Sequence, residues 1–198
     1  MLKFFLLLLL TGITAAGCGD KAKTTVTYKP HPPVPEEADS IESYLSEAGM
    51  DKGSLEAKVK GKLRAPYMLR FPRADSPYTE FPRTLHVDFF QDSVHINETP
   101  VIESKLDAHY GKYLQNQNKV FLRDSVVVKN VLKGDTVYCK ELWWDQHTER
   151  FTTDKPVEIH TKDKILFGNG MEADQNFRWY TIRKLTGTIL TSGSNLPK

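Results

Sequence analysis

Apolar and polar residues alternate with a period of two over most of this chain. Ala57, Val59, Gly61, Leu63 and Ala65 alternate with Lys58, Lys60, Lys62 and Arg64, the pattern of a strand with one apolar and one basic face. Runs of the same kind follow at 87–90, 93–96, 102–110, 119–123, 125–131 and 136–142. In the third, Leu106 and Ala108 share one side while Glu103, Lys105 and Asp107 share the other. The pattern continues through 139–182: Val157 and Ile159 point one way, Ile165 and Phe167 follow, and Gly168-Asn169-Gly170 reads as a tight reversal before Phe177, Tyr180 and Ile182. No segment there has the caps and period of a long helix. The ambiguous stretch is 39–55. Asp39 and Glu42 fit a capping box, with Ile41, Tyr44, Leu45 and Ala48 on one helical face. A turn at 49–53 followed by Leu55 reads instead as a first hairpin. Locally the helix is better supported. The expectation is one all-β domain at 38–190.

The ends differ from this domain. Residues 1–17 carry one Lys and then an apolar run that is too short to span a bilayer and closes in small residues, as a secretory signal does. Ala15-Ala16-Gly17-Cys18 resembles a lipobox, which makes Cys18 the expected site of lipid attachment. Residues 18–37 are a Pro-rich tether that favours extended geometry at roughly 3.1 Å per residue, and 191–198 is a polar tail. With Cys18 acylated, Cys139 is left without a partner, which excludes a disulfide framework and a paired-cysteine metal site. In its strand-like setting it reads as a small buried hydrophobe.

Chemistry is sparse. Asp145, His147, Asp154, Glu158, His160 and Asp163 gather in one region without a metal-ligand spacing, and they read as solvated surface. There is no nucleophile elbow, phosphate-binding loop or dinucleotide fingerprint, so no enzyme and no cofactor is expected. A net charge of +2 is far from that of a nucleic-acid-binding domain. In Trp143-Trp144-Asp145, alternation sends one Trp to the core and one to the surface or a ligand.

The order of several short segments is similar to the LptC family, the periplasmic component of the lipopolysaccharide export transporter. They are Leu106-x-Ala108-x-Tyr110, Val126-Val127-Val128, Leu142-Trp143-Trp144-Asp145, Thr153-Asp154-Lys155-Pro156-Val157-Glu158-Ile159, Gly168-x-Gly170-Met171-x-Ala173 and Gly187. Upstream Ala65-Pro66 and Glu80-Phe81-Pro82 resemble the lipoprotein-anchored branch of that family. The resemblance covers about 40–190 and is carried by the order and spacing of these segments. Better-known members are held by a transmembrane helix where this chain has Cys18.

The resemblance implies an antiparallel β-jelly roll opened into a V, with lipopolysaccharide acyl chains lying in its apolar groove. It also tips the segment after residue 40 toward a first hairpin. The implied partners are lipopolysaccharide, the LptBFG inner-membrane exporter and an LptA-like bridge protein, the latter joined by strand addition. The implied place is the periplasmic face of the inner membrane, with sorting of the anchor to the outer membrane left open. Strand alternation nominates Leu106, Val120, Leu122, Val126, Val128, Leu142, Trp144, Phe151, Val157, Ile159, Ile165, Phe167 and Tyr180 for the groove. Ala57 and Val59 are nominated for one partner edge, and Thr188 and Ile189 for the other. The competing reading is a non-catalytic structural or adhesive surface lipoprotein with a closed β-sandwich.

Overall fold

A computed structural model of the chain describes residues 34–47, 58–94 and 98–190. Almost everything in it is strand. The elements are β1 (Glu36–Glu47), β2 (Lys58–Phe71), β3 (Tyr78–Phe81), β4 (Leu85–Val94), β5 (Ile102–Ala108), β6 (Tyr110–Leu114), β7 (Lys119–Asn130), β8 (Thr136–Asp145), β9 (Arg150–His160), β10 (Lys164–Asp174) and β11 (Tyr180–Leu190). A single 3-10 turn, Gln115–Gln117, separates β6 from β7. Cys18 and Ala57 lie outside the described residues, as does the tail at 191–198.

These strands form one antiparallel sheet in which successive long strands are neighbours. β3 and β4 together lie beside β2, and β6 and β5 together lie opposite them. β7 spans both of the latter, pairing through Lys119–Arg123 with β6 and through Val127–Asn130 with β5. The strand bends between these halves at Asp124 and Ser125, both in the left-handed region with φ of 62° and 57°. The arrangement is that of an all-β jelly roll.

The sheet curls so that its first half faces its second. Phe89 of β4 meets Trp144 of β8 edge-on at 5.0 Å and Phe151 of β9 at 6.0 Å. Around this aromatic cluster Val87, Leu106, Leu122, Val126, Val128, Val137, Leu142, Ile159 and Met171 are almost wholly buried. Burying one such side chain contributes about 1.5–3 kcal/mol, so this inner layer dominates the stability of the fold.

Three bulges interrupt the alternation read from the sequence. First, Gly168-Asn169-Gly170 is no reversal but an irregularity within continuous β10, where the pairing shifts between Asn169 and Met171. Gly170 has φ +79°, and a Cβ on Gly168 would stand 2.8 Å from the Lys184 carbonyl oxygen. The extra residue inverts the phase. Counting back from Met171 and Ala173 in twos puts Phe167 and Ile165 inside, yet the register sets them against Glu158 and His160 on the outer face. Leu166, opposite Ile159, takes the inner place.

Second, the register of β2 shifts between Val59 and Gly61. Val59 therefore leaves the central core and borders a small hollow with Tyr44, Lys62, Phe90 and Val94. Third, β8 shifts between Cys139 and Trp143, so Val137 and Cys139 are inward ahead of the shift and Leu142 and Trp144 after it.

The helix expected locally over 39–48 is also overturned. β1 pairs with β2 from Glu36↔Arg70 to Glu47↔Lys58, so Ile41 and Leu45 point inward as strand residues and not as a helical stripe. Ser40 falls opposite Pro66, which has no N–H to donate, and takes a left-handed φ of 56°. Val59 does not lie on a free edge: β2 is flanked by β1 on one side and β4 on the other. Among the described residues the outer strands of the sheet are β1 and β11.

Candidate functional site

A cleft of about 570 Å³ opens between β1 and the curled sheet. Its apolar lining comes from Ile41 and Leu45 of β1, Leu63 and Met68 of β2, Phe81, Phe89, Tyr113 and Trp144. Pairing with β2 aims Ile41 and Leu45 at this space, because residues two apart share a strand face. The floor is rigid. Trp144 donates from Nε1 to Gln175 Oε1 at 3.3 Å, and Gln175 N–H donates to the Glu149 carbonyl at 2.8 Å.

One charged pair stands at the rim. Against β1, Lys60 is the extra residue between Val59 and Gly61, and it reaches the cleft, where its ammonium pairs with Glu149 of the β8–β9 turn. Lys62 and Arg64 of β2 are engaged elsewhere. Lys62 pairs with Glu42 at 2.6 Å, and Arg64 pairs with the buried carboxylate of Asp88. At Lys60, Lys62 and Arg64 the basic run read from the sequence is thus a series of ion pairs. The Lys62 ammonium is shifted upward, first by its hydrogen bond to Glu42.

A polar clamp holds the turn that carries Gln175. The turn after β10 carries Gln175, Asn176 and Phe177, all buried. Ser104 Oγ donates to the Gln175 carbonyl at 2.9 Å, and Asn130 Nδ2 donates to the Asn176 carbonyl at 2.8 Å. Arg178 Nε donates to Glu103 Oε1 at 2.7 Å, and Asn176 Nδ2 donates to Glu103 Oε2 at 2.8 Å. Phe177, with a left-handed φ of 55°, stacks on Tyr180 at 4.9 Å.

Of the residues nominated for a groove, Leu106, Val120, Leu122, Val126, Val128, Leu142, Phe151, Val157 and Ile159 are core side chains no more than 5% exposed. Trp144 alone among the nominated residues lines the cleft. Tyr180 packs partly buried against the core, and Ile165 and Phe167 face outward. Sequence reasoning missed Ile41, Leu45, Met68, Phe81, Phe89 and Tyr113. The alternation Ile41-x-Ser43-x-Leu45 is the available signal, masked by a helical stripe that is locally better supported.

The polar candidates stay dispersed. His160 sits over the ring edge of Tyr138 at 5.0 Å and beside Glu158, and Asp145 accepts the N–H groups of His147 and Thr148 at 3.0 Å each. The Thr148 contact above all lowers the Asp145 carboxyl below its ordinary range. No cluster of His, Cys, Asp or Glu among the described residues could hold a metal ion. The Cys139 thiol is pushed up to about 12 by burial, so it is a protonated, inert core group near neutrality.

At the far edge, β11 pairs with β10 alone among the described residues and leaves Leu185 and Ile189 more than half exposed. No helix among the described residues is long and apolar enough to cross a membrane. No curated protein matches the chain. The model of the family described as lipopolysaccharide-assembly, LptC-related matches residues 5–184. Nearly the whole chain, the curled sheet and its cleft included, thus belongs to the LptC-related family, a non-enzymatic component of lipopolysaccharide transport on the periplasmic side of the inner membrane.

Proposed function

We propose that this protein takes lipopolysaccharide acyl chains into the cleft under β1 and relays them from the LptBFG exporter to an LptA-like bridge protein. The observation that carries this reading is the cleft itself. Its lining is mainly aliphatic and aromatic, with Thr79, Gln146 and Gln175 interspersed and the Lys60–Glu149 pair at the rim, and its size falls within the usual 300–1,000 Å³ of ligand sites. An acyl chain gains by leaving water at about 0.8 kcal/mol per methylene.

β11 is the outlet in this reading. Strand addition takes its affinity from main-chain hydrogen bonds, and an exposed apolar edge strand is a liability unless a partner covers it. β1, at the other margin, carries Glu36, Glu37, Asp39, Glu42 and Glu47 among its residues and meets the exporter. Attachment through an acylated Cys18 keeps the domain at the membrane. Cys18→Ala protein that is still recovered as an acylated membrane protein would refute that anchor.

The test of the cleft is photo-crosslinking in cells. A crosslinker at Leu45 or Met68 captures lipopolysaccharide, and one at outward-facing Tyr138 does not. Equal capture at all three positions defeats the cleft. A protein that yields no lipid at any position is the adhesive or structural lipoprotein instead.

A further inference from the structure

Neighbouring Trp143 and Trp144 point to opposite faces of β8. Trp144 is in the floor of the cleft, while Trp143 is 40% exposed on the outside of the sheet. An outward Trp needs no partner to explain it, but this one walls a hollow of about 310 Å³. Its ring lies against Phe121 at 4.9 Å, which fixes its orientation. Around it stand Gln117, Lys119, Asp145, Thr148 and Arg150. The group therefore offers an amide, a carboxylate, a hydroxyl, an ammonium and a guanidinium about one aromatic face.

We infer that this outer hollow is a saccharide subsite, which holds sugars of the lipopolysaccharide whose acyl chains occupy the cleft. The inference rests on the proposed cleft reading, and three observations lead to it. A pyranose has an apolar C–H face and a rim of hydroxyls, which match an aromatic wall ringed by hydrogen-bonding groups. Lys119 and Arg150 keep about half of their side chains exposed although paired with Asp145 and Glu172, so the hollow also suits sugars bearing carboxylate or phosphate. Finally, cleft and hollow share one turn. Gln146 and Glu149 face the cleft, and Asp145, Thr148 and Arg150 face the hollow. An amphiphile crossing that turn has its acyl part inside and its sugars outside.

The full-length protein is titrated with three probes: oligosaccharide freed from lipopolysaccharide by mild acid, lipid A alone, and glycan fragments of peptidoglycan. Binding is followed by tryptophan fluorescence and calorimetry. The oligosaccharide binds; Trp143→Leu weakens it up to about tenfold, the value of one aromatic contact, and Trp143→Phe restores most of it. Lipid A binding changes in neither variant. Gln117→Ala, on an exposed turn outside the sheet, also weakens the oligosaccharide, which guards against a folding artefact in the Trp143 variants. No oligosaccharide binding, or equal binding by wild type, Trp143→Leu and Gln117→Ala, overturns the subsite and leaves Trp143 as a cross-strand partner of Phe121. Tighter binding of peptidoglycan fragments overturns its assignment to lipopolysaccharide sugars. Failure of lipid A to bind any variant strikes the cleft reading, and a Trp143-dependent oligosaccharide signal then stands apart from it.

Discussion

Arg178 reaches from the turn after β10 to Glu103 on β5, 75 residues earlier in the chain, with Nε 2.7 Å from Oε1. The Glu103 carboxylate is only 7% exposed, whereas the Arg178 side chain is half in water. The pair pins the turn that carries Phe177 over the core. Arg178→Ala leaves a buried carboxylate with Asn176 alone for company. Because one partner is solvated, the expected loss is about 2–3 kcal/mol, at the lower end for a broken buried pair. Urea unfolding measures it. Glu103→Gln removes the charge along with the pair and destabilises less; the opposite order would show that the clamp is not electrostatic.

The bulge in β10 gives a second expectation. Gly170 has a positive φ, which costs a side-chain-bearing residue about 1–2 kcal/mol. Gly168 is tighter, for its Cβ would stand 2.3 Å from Ile182 Cγ2 as well as against the Lys184 backbone. Gly168→Ala therefore forces β11 away from β10 and speeds amide exchange across β11 more than Gly170→Ala does. Unchanged exchange in Gly168→Ala would mean that Ile182 can give way freely.

Alkaline pH tests the core through Cys139. The folded thiol holds its proton up to about 12, against an ordinary value of 9.0. Between those limits the native state holds more protons than the unfolded state, so stability falls as pH rises. The slope for one such group is about 1.4 kcal/mol per pH unit at its steepest. Tyr110, raised to about 12 chiefly by burial and then by Glu80, adds to the fall above its ordinary 10.0. Cys139→Ala flattens the early part of the decline in denaturant melts; an identical profile would assign the loss to Tyr110 and other groups.

Partner pairing is tested by Thr188→Pro. Thr188 pairs with Leu166 in the register of outer strand β11. Proline removes an amide and resists pairing, so pull-down of the bridge protein weakens while lipid A binding persists. If lipid binding is lost and pairing with the bridge protein survives, β11 serves the cleft and not the outlet.

Several features were legible in the residues themselves. Strand identity, and the inward side of Leu106, Val126, Val128, Val157 and Ile159, follow from alternation, which is local and needs no partner. The resemblance to the LptC family rested on the order of such segments, and the family match supports it over nearly the whole chain. Tertiary structure decided the rest. Whether Ile41 and Leu45 belong to a helix or a strand depended on β2 lying alongside. Phe167 and Ile165 changed face because one extra residue at Gly170 inverts every side chain before it, and only the register against β9 places that residue. Core and cleft are equally apolar. Which inward side chains meet the far half of the sheet, and which are left facing a space, is set by how the sheet curls, a property of the whole chain that no local pattern contains.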